Sequence, residues 1–330
     1  MKKVVCSILA GCMCLTMFSG CGKAESNNVP VTLNEVAHSI FYAPQYVAIE
    51  EGYFEEEGIN LTLVNGGGAD KVMTAMVSGE ADIGFMGSEA SIYTYAGGEE
   101  DYSVNFAQLT QRAGNFLVGR EPEVDFQWSN LIGKKVLGGR AGGMPQMVFE
   151  YILKKNGIDP KVDLEIDQSI NFGLTAAAFM SDDSDYTVEF EPFATGLEIE
   201  GNGYVVASLG EESGYVPYTA YCAKKSYMEE NPEIIQKFTN AIQKGMDFVN
   251  SHTADEIAEV IHPQFKETPI ENVTKIVERY KAQDTWKKDL VFEKESFDLL
   301  QNILEEAGEL PKRVPYEDLV TIEFAQNALQ

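Results

Sequence analysis

Hydrophobic and polar positions follow two rhythms along this chain, and the change comes near residue 231. Before it, short apolar runs alternate with helical spacings. Val31 to Val36 (Val-Thr-Leu-Asn-Glu-Val) reads as a strand that stops at Ala37-His38-Ser39. A helix is predicted from about Ala43, with Pro44 in the first turn, where its missing N–H costs nothing. Asn60 to Val64 restarts a strand and runs into Gly66-Gly67-Gly68. A helix near Asp70 to Ser78 carries Val72, Met73, Met76 and Val77 and stops at Gly79, and Ala81 to Met86 is a short buried strand. This β-α-β-α-β order, with strands apolar on both faces, predicts a parallel sheet covered on both sides.

The rhythm then repeats. Val104 to Val118 is one long extended segment with Gln108, Thr110, Gln111 and Arg112 in its middle. A short helix at Trp128 to Gly133, a strand at Lys135 to Gly138 and a helix from Pro145 to Lys155 follow. Strands near 163–166, 186–190 and 204–209, with a helix around 173–180, complete a second α/β unit, and Tyr218 to Ala223 is again extended. From Asn231 the pattern is helical: 232–250, 254–261, 270–283, 294–307 and 316–328. Ile235, Phe238, Ile242, Met246 and Val249 show the spacing of three and four that buries one helix face. Such an α/β chain suits a hinged two-lobe binder or a doubly wound enzyme with a helical domain. Periodicity does not separate the two.

The start of the chain changes the picture. Lys2 and Lys3 precede an apolar stretch from Val4 to Phe18, and Phe18-Ser19-Gly20 places small residues before Cys21. The stretch is shorter than the ~20 apolar residues a permanent span needs, so residues 1–20 read as a cleaved signal. With Cys21 at the cut and a polar Gly-Lys-Ala-Glu-Ser-Asn-Asn tether after it, the junction resembles a bacterial lipoprotein signal, with Cys21 lipidated. An ordinary secreted protein and a cut before Cys12 are the alternatives.

Charge and cysteine content then narrow the partners. The 330-residue chain carries 25 basic and 52 acidic side chains, a formal charge of -27. Removing residues 1–20 takes away Lys2 and Lys3 and moves the charge to -29. Such acidity argues against nucleic acid or anionic lipid as a partner. The remaining length exceeds what one core usually serves, so two lobes are expected. Four of five cysteines lie at or before Cys21, which leaves Cys222 alone in the body, and His38, His252 and His262 are far apart. No intrachain disulfide or metal pattern is expected, and no cofactor.

The string Ala43-Pro-Gln-Tyr-Val-Ala-Ile-Glu-Glu-Gly-Tyr-Phe-Glu-Glu-Glu-Gly-Ile59, with Val72 to Met86, resembles the substrate-binding proteins of ABC importers for sulfonates, nitrate, taurine and thiamine-pyrimidine precursors. Lys135 to Gly157 is similar to the start of that family's second lobe. The resemblance implies an α/β type II periplasmic-binding fold with two lobes, a hinge of two crossing segments and a helical C-terminal tail. Lobe one would comprise 31–112 and 219–330, and lobe two 113–218. Residues 1–20 would be the signal and 21–30 the tether. The hinge would lie in Val104–Val118 and Gly214–Lys224. The implied partners are a small solute, a permease, a cytoplasmic ATPase and the membrane through the lipid anchor. The protein is expected outside the cytoplasm as a monomer.

In open α/β sheets, ligands sit beyond the carboxyl ends of strands, where helix amino ends present free N–H groups. His38, Ser39 and Tyr42, the run Gly66-Gly67-Gly68, Gly87-Ser88-Glu89 and Arg140-Ala-Gly-Gly143-Met144 occupy such places. Each is equally readable as a plain turn. Glu189 and Glu191 share a strand face on either side of Phe190. If Pro192 opens a helix, Glu191 sits at the cleft mouth. A carboxylate facing a sulfonate is costly, whereas it forms a charge-assisted bond to an amine. Tyr42, Tyr218, Tyr221 and Phe190 are candidates to stack on a planar ring. The reading favours a small nitrogen heterocycle such as an aminopyrimidine thiamine precursor. If both glutamates only make salt bridges across the hinge, to Arg112 or Arg140, the sulfonate, taurine or nitrate reading returns.

An enzyme would need a nucleophile with its base, a metal cage or a cofactor fingerprint, and no Gly-x-Ser-x-Gly, Walker-type loop or Gly-x-Gly-x-x-Gly is present. Some relatives resemble pyrimidine synthases that use their own histidine as substrate, a role that an exported chain fits poorly. Adhesins would show β-repeats, which are absent from the sequence.

Overall fold

The protein was analysed as a computed structural model that describes residues 28–170 and 173–330. The expected signal, Cys21 and most of the tether lie outside the described residues.

Two five-stranded sheets organise the chain. The first is built from β1 (Val29–Glu35), β2 (Ile59–Asn65), β3 (Ile83–Met86), β4 (Ser103–Thr110) and β10 (Thr219–Lys224), in the order β2-β1-β3-β10-β4. The second contains β5 (Asn115–Gly119), β6 (Lys135–Leu137), β7 (Glu165–Asp167), β8 (Tyr186–Phe190) and β9 (Tyr204–Ser208), ordered β7-β6-β8-β5-β9. Each sheet therefore begins as the alternating pattern predicts: β1 pairs in parallel with β2 and β3, and β6 with β7 and β8.

Neither sheet is wholly parallel, which corrects the expectation. β10 runs antiparallel to both β3 and β4, and β5 antiparallel to β8 and β9. Both are the strands at which the chain enters one sheet from the other, so they run against the βαβ direction. The long extended segment at 104–118 is two strands in different sheets. Where the paths cross, the hydroxyls of Thr110 and Thr219 are 2.6 Å apart, and Thr219 N–H donates to Thr110 Oγ1 at 3.0 Å.

Aromatic side chains fill the space between the sheets. Phe41, fully buried, packs with Phe190 at 5.8 Å and Tyr280 at 5.3 Å between ring centroids, so one apolar core runs through both halves. The helical tail follows its apolar stripe. Helix Pro232–Ser251 lays Ile235, Phe238, Ile242, Met246 and Val249 inward and packs on helix Ala43–Glu50.

Two departures concern the tail. Helix Lys294–Ala307 packs against helix Met144–Lys155 of the second sheet's layer, although 219–330 was expected with the first. The helix expected over 316–328 is two short pieces, Tyr316–Leu319 and Glu323–Asn327. Between them Val320 bridges Asn105 and the N–H of Thr321 donates to Asn105 O at 2.9 Å, so this break covers the open edge of β4.

Gly245 marks the tightest helix contact, because a Cβ there would run into the carbonyl oxygen of Pro44. In an open helix Gly→Ala gains about 1 kcal/mol. Here Gly245→Ala is expected to lose about 1–2 kcal/mol in urea denaturation, since overpacking outweighs propensity. A stabilised variant would contradict the packing.

Candidate functional site

A cavity of about 330 Å³ opens between the sheets, walled by the segments that follow β1, β2, β3 and β6, by Phe190 at the end of β8 and by Tyr218 and Thr219 at the start of β10. Small-molecule sites usually span roughly 300–1,000 Å³. Tyr42, Met73, Tyr93, Met144, Phe190 and Tyr218 make most of its wall apolar and aromatic. Each ring is fixed from behind. Tyr42 packs edge-on to Phe85 at 4.5 Å, Tyr218 donates to Asn115 Oδ1 at 2.5 Å, and Tyr93 points its hydroxyl at Met147 Sδ, 3.5 Å away.

Glu89 is the exception in that wall. It opens helix Glu89–Ala96 directly after β3, is 3% exposed, and its carboxylate lies against Gly87. Five buried side-chain atoms lack a hydrogen-bond partner among the described residues, and only Glu89 Oε2 belongs to a residue that lines the cavity. Burial pushes its pKa up to about 7, while the N–H groups of Glu89 itself and of Met144 pull the other way. A buried carboxylate with a vacant lone pair favours an N–H donor or a cation beside it.

Arg140 is the sole basic residue of the wall among the described residues, and it is engaged. Its Nη1 and Nη2 meet the two carboxylate oxygens of Asp70 at 2.9 and 3.2 Å, joining the loop after β6 to helix Ala69–Ser78 across the cavity mouth. The guanidinium holds the Asp70 carboxyl below its ordinary pKa.

Of the twelve residues predicted for the site, Tyr42, Gly87, Glu89, Arg140, Gly143, Met144 and Tyr218 come together on this wall. Glu189 lines a smaller adjoining space of about 20 Å³, where its carboxylate accepts from Thr175 and Thr187 hydroxyls and burial raises its pKa to about 7. The other four serve the scaffold. His38 spends both ring nitrogens on Glu35 Oε1 and the carbonyl of Gln264, each at 2.9 Å, and stacks on Phe265. Ser39 donates to the carbonyl of Glu191 at 2.8 Å, and Ser88 donates to that of Pro217.

Glu191 is the main correction. It is fully buried, but its carboxylate accepts from Thr195 N–H and Thr195 Oγ1 at 2.9 Å and from Arg279 Nη1 at 2.6 Å. Helix Phe193–Ile199 does begin after Pro192, yet it turns the carboxylate toward the C-terminal helix Ile270–Ala282 rather than into the cavity. Arg279 also grips Glu198 at 2.8 Å. Glu191 thus makes a salt bridge, but with a partner 88 residues away rather than with Arg112 or Arg140. Arg112 is likewise spent, donating to the carbonyl of Gly210 at 3.1 Å and lying 4.4 Å over the Tyr215 ring. Tyr221 is buried in the core, with its hydroxyl on Gln45.

Sequence reasoning missed Asp70 and Tyr93. Asp70 carried a signal, a first-turn acid after three glycines. Tyr93 lies one turn after Glu89, in a helix the pattern analysis passed over although Gly97-Gly98 marks its end.

Comparison with known proteins follows from this geometry. The family described as NMT1/THI5 like matches residues 40–255. A Bacillus subtilis (strain 168) protein, YtlA, named as a candidate binding protein, is 46% identical over 304 residues, covering 92% of this chain and 91% of its own. A 4-amino-5-hydroxymethyl-2-methylpyrimidine phosphate synthase of Aspergillus parasiticus is 23% identical over 67% of this chain and 66% of its own. Among solved structures, the periplasmic aliphatic sulphonate binding protein SsuA of Escherichia coli superposes with a TM-score of 0.70 at 16% identity, covering 91% of this chain and 99% of that one. That likeness shows the periplasmic-binding-protein fold.

The Glu89 carboxyl has a consequence for stability. An unfolded glutamate titrates near its model value of 4.5, and the folded one at about 7. The unfolded chain therefore sheds this proton first, so stability is highest below the unfolded value and falls as pH rises from about 4.5 to 7. The loss is on the order of 3 kcal/mol. Glu89→Gln is expected to melt higher than the parent at pH 8 and at nearly the same temperature at pH 4.5. Equal melting at both pH values would contradict the assignment.

Proposed function

The chain belongs to the NMT1/THI5-like family, and on that premise we propose that it is an extracytoplasmic solute-binding protein of the ABC-importer type. Its ligand is a small ring compound bearing an amino or ring N–H group, with an aminopyrimidine as the leading example. The observation that carries the reading is Glu89 Oε2, buried without a partner in an aromatic-lined cavity whose one basic side chain is already held by Asp70. An amino group directed at Glu89 supplies the missing donor, and the surrounding rings offer faces to a planar heterocycle. The size of the cavity suits one or two rings.

In this mechanism the ligand bridges both halves, touching Tyr42 and Glu89 on one side and Met144 and Phe190 on the other, and so favours the closed arrangement. The ligand leaves unaltered, handed to a permease driven by a cytoplasmic ATPase. Attachment to the membrane through a lipid on Cys21 belongs to the same reading.

The test is a calorimetric panel of 4-aminopyrimidines, thiamine, taurine and alkanesulfonates against the parent and Glu89→Gln. An aminopyrimidine is expected to bind the parent, and Glu89→Gln to weaken it at least tenfold. Ionised Glu89 is the binding form, so affinity for thiamine, which carries a fixed positive charge, should rise with pH up to about 7 and then level off. Tight binding of an alkanesulfonate by the parent, with none of an amine, would overturn the proposal.

A further inference from the structure

Three helices of eight or more residues begin at the cavity wall: Ala69–Ser78, Glu89–Ala96 and Met144–Lys155. A helix amino end has free N–H groups and a partial positive charge, so three that converge form a natural place for an anion. Two of the three bring their own. Asp70, in the first turn of its helix, is stabilised by Arg140 and by the N–H groups of residues 70 and 71. Glu89 lies by its own N–H and that of Met144, with Oε2 unpartnered inside the cavity.

The Arg140–Asp70 pair is built into this arrangement rather than draped over it. Gly68 sits beside the pair at a φ of 153°, and a Cβ there would lie 2.7 Å from Asp70 Oδ1 and 2.9 Å from Arg140 Nη1, so the glycine leaves room for the two side-chain ends to meet. Yet the two side chains are 58% and 44% exposed, and an ion pair so open is weak on its own. What keeps the guanidinium occupied is tethering. An anion that displaced Asp70 would still have the aspartate charge beside it.

We propose that the cavity contains a latent oxyanion site formed by Arg140 and the converging helix amino ends, filled by the protein's own Asp70 carboxylate. Asp70 is thus the residue that excludes small singly charged oxyanions, and Glu89 is the second barrier. The inference rests on the cavity being the ligand site, as proposed above, and adds what sets its selectivity.

Protonation makes the two barriers separable. The titratable groups around Glu89 are the phenols of Tyr42, Tyr93 and Tyr218, which burial keeps protonated, with Asp70 and Arg140 across the cavity. Asp70 is held low and Arg140 high. Glu189, in the adjoining space that Arg140 also lines, titrates in the same range, with its carboxylate accepting from Thr175 and Thr187. Between pH 5.5 and 8, Glu89 and Glu189 are therefore the groups near Arg140 that change charge, and the Glu89→Gln arm of the test separates them.

Methanesulfonate is the probe, titrated by calorimetry into the full protein and into Asp70→Asn, Glu89→Gln and the double variant, each checked by melting curve. The parent is expected to bind it weakly at both pH 5.5 and pH 8. Asp70→Asn should bind at least tenfold tighter than the parent at pH 5.5 and lose most of that gain at pH 8. The double variant should keep the gain at both, and adding Arg140→Gln should remove it. A double variant no better than the parent overturns the proposal, as does a gain that survives loss of Arg140. Aminopyrimidine binding by the parent is measured alongside, so failure of the amine-ligand reading registers there and not in the sulfonate series.

Discussion

One carboxylate without an answering group sets the terms for this molecule. Glu89 sits at a helix amino end, almost wholly out of water, with one oxygen unpartnered. A buried charge in that condition is costly unless it takes up a proton or meets a donor. Both outcomes make the cavity sensitive to what enters it. The aromatic wall gives area and shape, and the glutamate gives sign.

The rest of the fold keeps that cavity between two sheets. Polar contacts reach across at several levels: Arg279 between Glu191 and Glu198, Ser39 on the Glu191 carbonyl, and Arg140 on Asp70. They differ in kind. The Arg279 cluster is sunk and has three donors around Glu191, so removing one partner would leave a buried charge exposed to its full desolvation cost. The Arg140–Asp70 pair is open to solvent and can part at little cost. The proposed hinged closure would use both, the buried cluster as a firm joint and the exposed pair as a loose latch at the mouth.

Much of this was legible in the chain itself. Alternation placed eight of the ten strands within a residue or two, and glycine-rich turns after them pointed to the cavity wall correctly at Gly87 and Gly143. Strand direction was not legible, because β10 and β5 are as apolar as the parallel strands of their sheets, and only the route of the chain between sheets reverses them. Glu191 misled for a related reason. Alternation was expected to put it on the face shared with Glu189, but the strand ends at Phe190, and the partner Arg279 comes from a helix far along the chain whose approach no local pattern reports. The same long-range closure consumed His38 through Gln264. The position of Glu89 on the cavity wall was legible because it is set locally, by a strand end, a turn and a first helical turn within a few residues.

The most direct measurement is a carbon-13 NMR titration of the glutamate carboxyl groups in the ligand-free protein, with Glu89→Gln and Glu189→Gln used to assign the late-titrating signals. The account predicts a Glu89 carboxyl that titrates at about 7 and moves down into the ordinary carboxylate range when an amine ligand is bound. A Glu89 carboxyl that titrates near 4.5 in the free protein, unmoved by any amine, would contradict it.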